Sequence, residues 1–273
     1  MLLTGALAVR ETELDVIEAA ILGIVQGLTE FFPVSSSGHL AMFQALFGGR
    51  EEGGLLFEVA VHVATLFAIV FFYRVRIRAL IGGVLMRDPE SLEYAGKLAV
   101  ATLPAVVIGL TAKDWIEVQF SNPLLVGCAL LVTGGIVIST RWTAPRALAS
   151  APSFGVALAI GFAQALAILP GISRSGSTVA LALALGVAPL AAAEFSFLMG
   201  VIAISGAAVL MIPDLQGVTS DELIRMGVGG AAALVSGLIA ISVFVKMLDR
   251  SLFHHWAWYC WFVGAGFLLW TIG

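Results

Sequence analysis

Long apolar runs dominate this chain, at 55–72, 98–112, 123–140, 190–212, 227–245 and 256–272. Several approach the roughly 20 residues that a helix needs to cross the hydrocarbon of a bilayer. The pattern therefore predicts six transmembrane helices. Two further apolar segments, 16–34 and 154–169, are cut off by clusters of Pro, Ser and Gly. Such segments suit helices that enter a membrane and turn back, because irregular backbone is tolerated at that depth where protein encloses it. The expected fold is an all-α integral membrane protein with six spans and two re-entrant helical hairpins, forming a single membrane domain over 1–273.

The polar residues between the runs set an orientation, because short cytoplasmic loops carry the excess of Lys and Arg. Arg74, Arg76, Arg78 and Arg87 fall in one connection, Arg141 and Arg146 in another, and Lys246 and Arg250 in a third, all expected inside. By alternation, Asp114–Glu117, Asp214–Glu222 and both termini are expected outside. Composition agrees with a bilayer: 60% hydrophobic and 12% charged residues, with a mean hydropathy of +1.02, leave too little polar surface for a water-soluble globule of 273 residues. Glu11, Glu13, Asp15 and Glu18 against Arg10 do not make a secretory signal, so no cleavage is expected. The net charge of −4 forms no basic stripe, which argues against nucleic acid. Cys128 and Cys260 lie in apolar runs and are expected to be small buried hydrophobes.

A shift of 138 residues aligns Gly23 with Gly161, Gln26 with Gln164, Leu28 with Leu166 and Ser35 with Ser173. The same shift aligns Ser37 with Ser175, Gly38 with Gly176, Gly48 with Gly186 and Phe57 with Phe195. Two repeats are expected, at about 14–140 and 152–273. Each is a re-entrant hairpin followed by three spans, and an odd number of spans inverts the second half relative to the first. The loops 33–39 and 170–178 should then face each other.

The first loop element runs from Gln26 through Glu30, Pro33, Ser35, Ser36, Ser37 and Gly38 to His39. Gln26 and Glu30, four apart, share a helix face. Pro33 stops that helix, and the Ser run starts the next one, where free N–H groups make an anion site. The second element is Pro170-Gly-Ile-Ser173-Arg174-Ser175-Gly176-Ser177-Thr178, an Arg among hydroxyls that suits forked binding of phosphate oxygens. Arg174 occupies the repeat position of Ser36.

These motifs, together with Phe57-Glu58-Val59 and Glu194-Phe195-Ser196-Phe197, resemble the bacterial undecaprenyl-pyrophosphate phosphatase family of the bacitracin-resistance type, over nearly the whole chain. The resemblance implies an enzyme of the bacterial inner membrane that hydrolyses the C55 isoprenoid pyrophosphate to the monophosphate, recycling the carrier for cell-wall synthesis. One departure is Gln26, which stands at the place of the earlier acidic residue in those family members that have two in this motif.

The expected roles follow from chemistry. Ser36 attacks the terminal phosphorus, with water as the competing nucleophile; His39 or Glu30 manages the proton; Arg174 stabilises phosphoryl charge. Gln26, Ser35, Ser37, Gly38, Ser173, Ser175, Gly176 and Thr178 complete the substrate-binding set. A divalent cation, Mg or Ca, suits this chemistry with Glu30 as its ligand; no organic cofactor is expected. The expected partners are the lipid pyrophosphate and membrane lipid, with a homo-oligomer left open. Glu58, His62 and Glu194, ionisable groups in or beside apolar runs, either serve the site or brace the hairpins. His254 and His255, beside Trp256 and Trp258, read as interface anchors. The rival reading is a transporter or flippase of a lipid phosphate or anion, since inverted repeats with broken helices are common among carriers.

Overall fold

The computed structural model describes residues 15–46, 54–210 and 218–272, and these are almost wholly helical. In chain order the helices are α1 (Val16–Phe31), α2 (Ser36–Leu46), α3 (Gly54–Phe72), α4 (Arg74–Leu85), α5 (Pro89–Thr111) and α6 (Lys113–Phe120). There follow α7 (Pro123–Thr143), α8 (Phe154–Leu166), α9 (Arg174–Ala184), α10 (Pro189–Leu210), α11 (Ser220–Asp249) and α12 (Trp256–Ile272). Four helical segments, Pro89–Thr111, Pro123–Arg146, Pro189–Val209 and Ser220–Asp249, are long and apolar enough to cross a membrane. A fifth span is reached if the pair α3 and α4, bent by 78° at Tyr73, counts as one. The chain is a multi-pass membrane protein.

Two expected loops are helices instead. The Arg74–Arg87 connection forms α4, because Arg, Leu and Ile sustain a helix until Arg87 turns at φ +57° and Asp88 caps α5 through the Ser91 N–H (2.9 Å). The Asp114–Glu117 segment lies within α6. Cys128 is exposed, contrary to expectation, since it points from α7 away from the packed core; Cys260 is buried as expected. Residues 1–14, together with Gly48 and Asp214, fall outside the described residues.

Packing is crosswise. α1 lies along α11, and α8 along α5. Both crossings are close because Gly23 and Gly161 let backbones touch: a Cβ on either would collide with Gly229 or Ala101 of the partner helix. α7 pairs with α12, and α3 with α11. Between them runs an aromatic chain in which Phe197 meets Phe31 edge-on at 5.6 Å and Phe244 at 5.0 Å. All three rings are fully buried, so the end of α1 is held firmly against α10 and α11. That firmness fixes the position of Glu30, one residue before Phe31.

Candidate active site

α1 begins with an Asp15–Glu18 capping box and ends at Phe32, whose extended backbone (ψ 146°) is what a following Pro imposes. The chain crosses Pro33 and Val34, passes through Ser35 at φ +68° and starts α2 at Ser36. In the second loop, α8 ends at Ala167, Gly171 turns at φ +94°, and Ser173 caps α9, which starts at Arg174. Gly171 is the residue type that this backbone favours.

The two loops meet. Ser35 Oγ accepts the N–H of Gly38 (3.2 Å) within its own loop and that of Gly171 (3.1 Å) in the other. Ser175 Oγ donates to the carbonyl of Phe32 at 3.3 Å. A Cβ on Gly38 would lie 2.9 Å from the Cα of Gly171, so the loops pass backbone against backbone. Helices outside the loops clamp each of them. Thr133 of α7 donates to the carbonyl of Gly171 (2.7 Å) and accepts the N–H of Ser173 (3.1 Å). Cys260 of α12 donates to the carbonyl of Pro33 at 3.3 Å.

Glu30 is the centre of the polar cluster and is buried. Its Oε1 accepts from Arg174 Nη2 at 2.6 Å. Its Oε2 accepts from Ser36 Oγ at 2.7 Å and from Gln26 Nε2 at 3.0 Å, and His62 Nε2 of α3 stands 3.6 Å from it. A carboxylate so placed is poised to take a proton from the serine while it holds the guanidinium. Arg174 Nη1 is buried with no partner among the described residues, which leaves part of the fork unspent. The guanidinium lies on Gly200 of α10, where a Cβ would strike Nη1, Cζ and Nη2 together.

Several expected site residues have other duties. His39 is buried, its Nδ1 bonded to the carbonyl of Ser35 (2.8 Å) and its Nε2 to the hydroxyl of Tyr259 (2.8 Å). A carbonyl only accepts, so Nδ1 carries the proton, and neither ring nitrogen is turned to Ser36 or Glu30. The proton contact of Ser36 therefore belongs to Glu30. Thr178 Oγ1 bonds the carbonyl of Arg174 (2.7 Å) and Ser196 Oγ (2.6 Å), away from the cluster. Ser173 Oγ accepts the N–H of Gly176 (3.1 Å) and pairs with Ser175 Oγ at 3.3 Å. Ser35, Gly38, Ser175 and Gly176 form the buried seam between the loops, and Ser173 and Thr178 are buried beside it. Ser36, Ser37 and Arg174 remain partly exposed. Ser37 Oγ touches Ser35 Oγ at 3.3 Å.

Of the three outlying ionisable groups, His62 joins the cluster. Its Nδ1 bonds the Glu58 carbonyl at 2.7 Å. Glu194 braces α10 to α4 and α5, accepting from Arg76 Nε (2.8 Å) and Tyr94 OH (3.1 Å), rather than bracing a hairpin. Thr133, Gly200 and Tyr259 carry no signal in the sequence, because contacts between distant helices leave no local pattern. No group of three or more His, Cys, Asp or Glu able to hold a metal occurs among the described residues. Glu30 brings a carboxylate to this cluster.

Comparison with known proteins gives consistent matches. The family model described as bacitracin resistance protein BacA matches residues 19–266. A protein of Acinetobacter baumannii named undecaprenyl-diphosphatase is 36% identical over 250 residues, covering 90% of this chain and 92% of that protein. One of the same name from Desulforapulum autotrophicum is 36% identical over 278 residues, covering 93% of this chain and 100% of the relative. Undecaprenyl-diphosphatase 3 of Acinetobacter baylyi is 34% identical over 250 residues, 90% of this chain and 94% of its own length.

Proposed function

The chain belongs to the bacitracin resistance protein BacA family, and on that premise we propose that it hydrolyses undecaprenyl pyrophosphate to the monophosphate and inorganic phosphate, returning the lipid carrier to cell-wall synthesis. The observation that carries the chemistry is the line Ser36–Glu30–Arg174, drawn across the junction of the two loops. Glu30 Oε2 takes the Ser36 proton as Oγ attacks the terminal phosphorus. The bond from that phosphorus to the bridging oxygen breaks, and the lipid monophosphate leaves. Water then cleaves the phosphoserine, releasing phosphate and restoring the hydroxyl. Arg174, with the N–H groups at the start of α2 and α9, balances charge on the phosphoryl oxygens. Gln26 holds Glu30 in place as a neutral donor. A divalent cation, when bound, would be held by Glu30 and the substrate's own pyrophosphate oxygens and would neutralise part of the phosphate charge.

The same reading takes α12 as the sixth span and α1–α2 and α8–α9 as re-entrant hairpins of two inverted repeats, at about 14–140 and 152–273. The crosswise packing of α1 on α11 and α8 on α5 supports it, since the 138-residue shift carries α1 onto α8 and α5 onto the later part of α11. The arginine-bearing connections support an orientation with both termini outside a bacterial inner membrane. The test is phosphate release from undecaprenyl pyrophosphate by the full chain in detergent. Steady release is expected; tight lipid binding without release would move the protein to the carrier class.

A further inference from the structure

We propose that the outer face of α4 is a docking surface for anionic phospholipid headgroups. After His62, α3 runs without a charged residue to Phe71 and Phe72, and the chain then bends at Tyr73 by 78° into α4. Aromatic residues followed by Arg at the end of an apolar helix mark a membrane–water boundary, and a helix turned so sharply there runs along the boundary. No residue of α4 is buried.

Its outward stripe joins Arg74 and Arg78 to Ile81 and Leu85, at helical spacings of 4, 3 and 4, with exposed Val75 and Met86 beside it. Cations and large apolar side chains on one unpartnered face match a phosphate headgroup above its own acyl chains. Water alone suits only the first, and hydrocarbon only the second.

The charges on this face are available. Arg78 and Arg87 make no ion pair or side-chain hydrogen bond with any described residue. Arg74 donates one N–H to the Phe71 carbonyl (2.8 Å), with its guanidinium 4.6 Å from the Phe71 ring centre, and keeps its other donors. Arg76, by contrast, is turned inward to Glu194 and lies 4.8 Å from the ring centre of Tyr94, which fastens α4 to the bundle and removes that charge from the face. The acidic group nearest in sequence, Asp88, is committed to capping α5. Charge complementarity therefore selects a lipid with a net negative headgroup, such as phosphatidylglycerol, over a zwitterionic one.

The test reconstitutes the full chain in phosphatidylcholine vesicles and compares spin-labelled phosphatidylglycerol with spin-labelled phosphatidylcholine as boundary lipid. A preference for phosphatidylglycerol that weakens in high salt is expected. In the Arg74→Gln/Arg78→Gln variant it should fall by up to roughly fivefold per arginine, whereas Arg74→Lys/Arg78→Lys should keep it, because the attraction requires only a point charge. The proposal is overturned if wild type shows no preference, if the Gln variant retains it, or if undecaprenyl pyrophosphate alone competes for the labelled site.

Discussion

In the first half of the chain, α1 ends before Pro33, the backbone crosses Ser35 at φ +68°, and α2 starts at Ser36. In the second half, α8 ends, Gly171 turns at φ +94°, Ser173 caps, and α9 starts at Arg174. Ser35 and Ser173 each accept the N–H three residues ahead, from Gly38 at 3.2 Å and Gly176 at 3.1 Å. That hydrogen bond is shared, and each loop presents a helix start suited to anions. The left-handed residue, however, falls at different repeat positions: Ser35 in the first loop, where its counterpart Ser173 has φ −73°, and Gly171 in the second. The chemistry of the two loops parts at single side chains: Ser36 against Arg174 at the first helical position, and Glu30 against Ile168 on the preceding segment. A common scaffold thus supplies the phosphate cradle, and substitutions within it separate nucleophile and base from fixed positive charge.

The comparison breaks first at Ser36. Ser36→Ala should lower turnover by about 10³-fold or more while substrate still binds, and Ser37→Ala should stay within about tenfold of wild type. Phosphate release and lipid binding measured on the same preparations check this, and substantial turnover in Ser36→Ala would make water the nucleophile. On the opposite loop, Arg174→Ala should cost about 10²- to 10³-fold in kcat/KM, with Arg174→Lys recovering only part, because an ammonium lacks the planar fork. Near-normal kcat/KM in folded Arg174→Ala would remove Arg174 from the site.

A third contrast lies within α10. Gly200→Ala puts a methyl into the Arg174 guanidinium, whereas Gly206→Ala enters open space on the same helix. The former should lose roughly tenfold to a hundredfold in turnover through misplacement of the guanidinium, and the latter nothing. Equal activity of the two would show that Arg174 does not depend on this seat. The smallest effect sharpens the shared serine cap: Ser173→Ala should lower stability by about 1 kcal/mol in thermal unfolding, the ordinary cost of a lost N-cap. Ser35→Ala should cost more, because Ser35 also accepts the Gly171 N–H from the other loop.

Much of this was legible in the sequence because it is local. Pro33 and the Pro170-Gly171 pair announce where helices stop, a spacing of four puts Gln26 under Glu30, and an Arg inside an apolar run at 174 has few uses. What was hidden depends on contacts between distant helices. The approach of His62 to Glu30 requires α3 to pass beside α1, and the clamp of Thr133 on Gly171 requires α7 to reach the second loop. His39 looked like a proton carrier by residue type. Its ring bonds instead to the carbonyl four residues back and to Tyr259, which composition cannot reveal. The Arg74–Arg87 connection reads as a loop in sequence because its charges interrupt an apolar run. Those charges are as compatible with a helix, and α4 is one, turned 78° from α3.

The central claim is that residues from the two loops act as one unit, and a double-mutant cycle between Glu30 and Arg174 tests it most directly. Turnover of Glu30→Gln, Arg174→Ala and the double variant is compared with wild type on undecaprenyl pyrophosphate, with folding monitored throughout. Groups bonded at 2.6 Å in a buried site should be strongly non-additive, so the double variant should be little worse than the poorer single one. Losses that multiply across the two sites would show that each loop acts independently and would contradict the account.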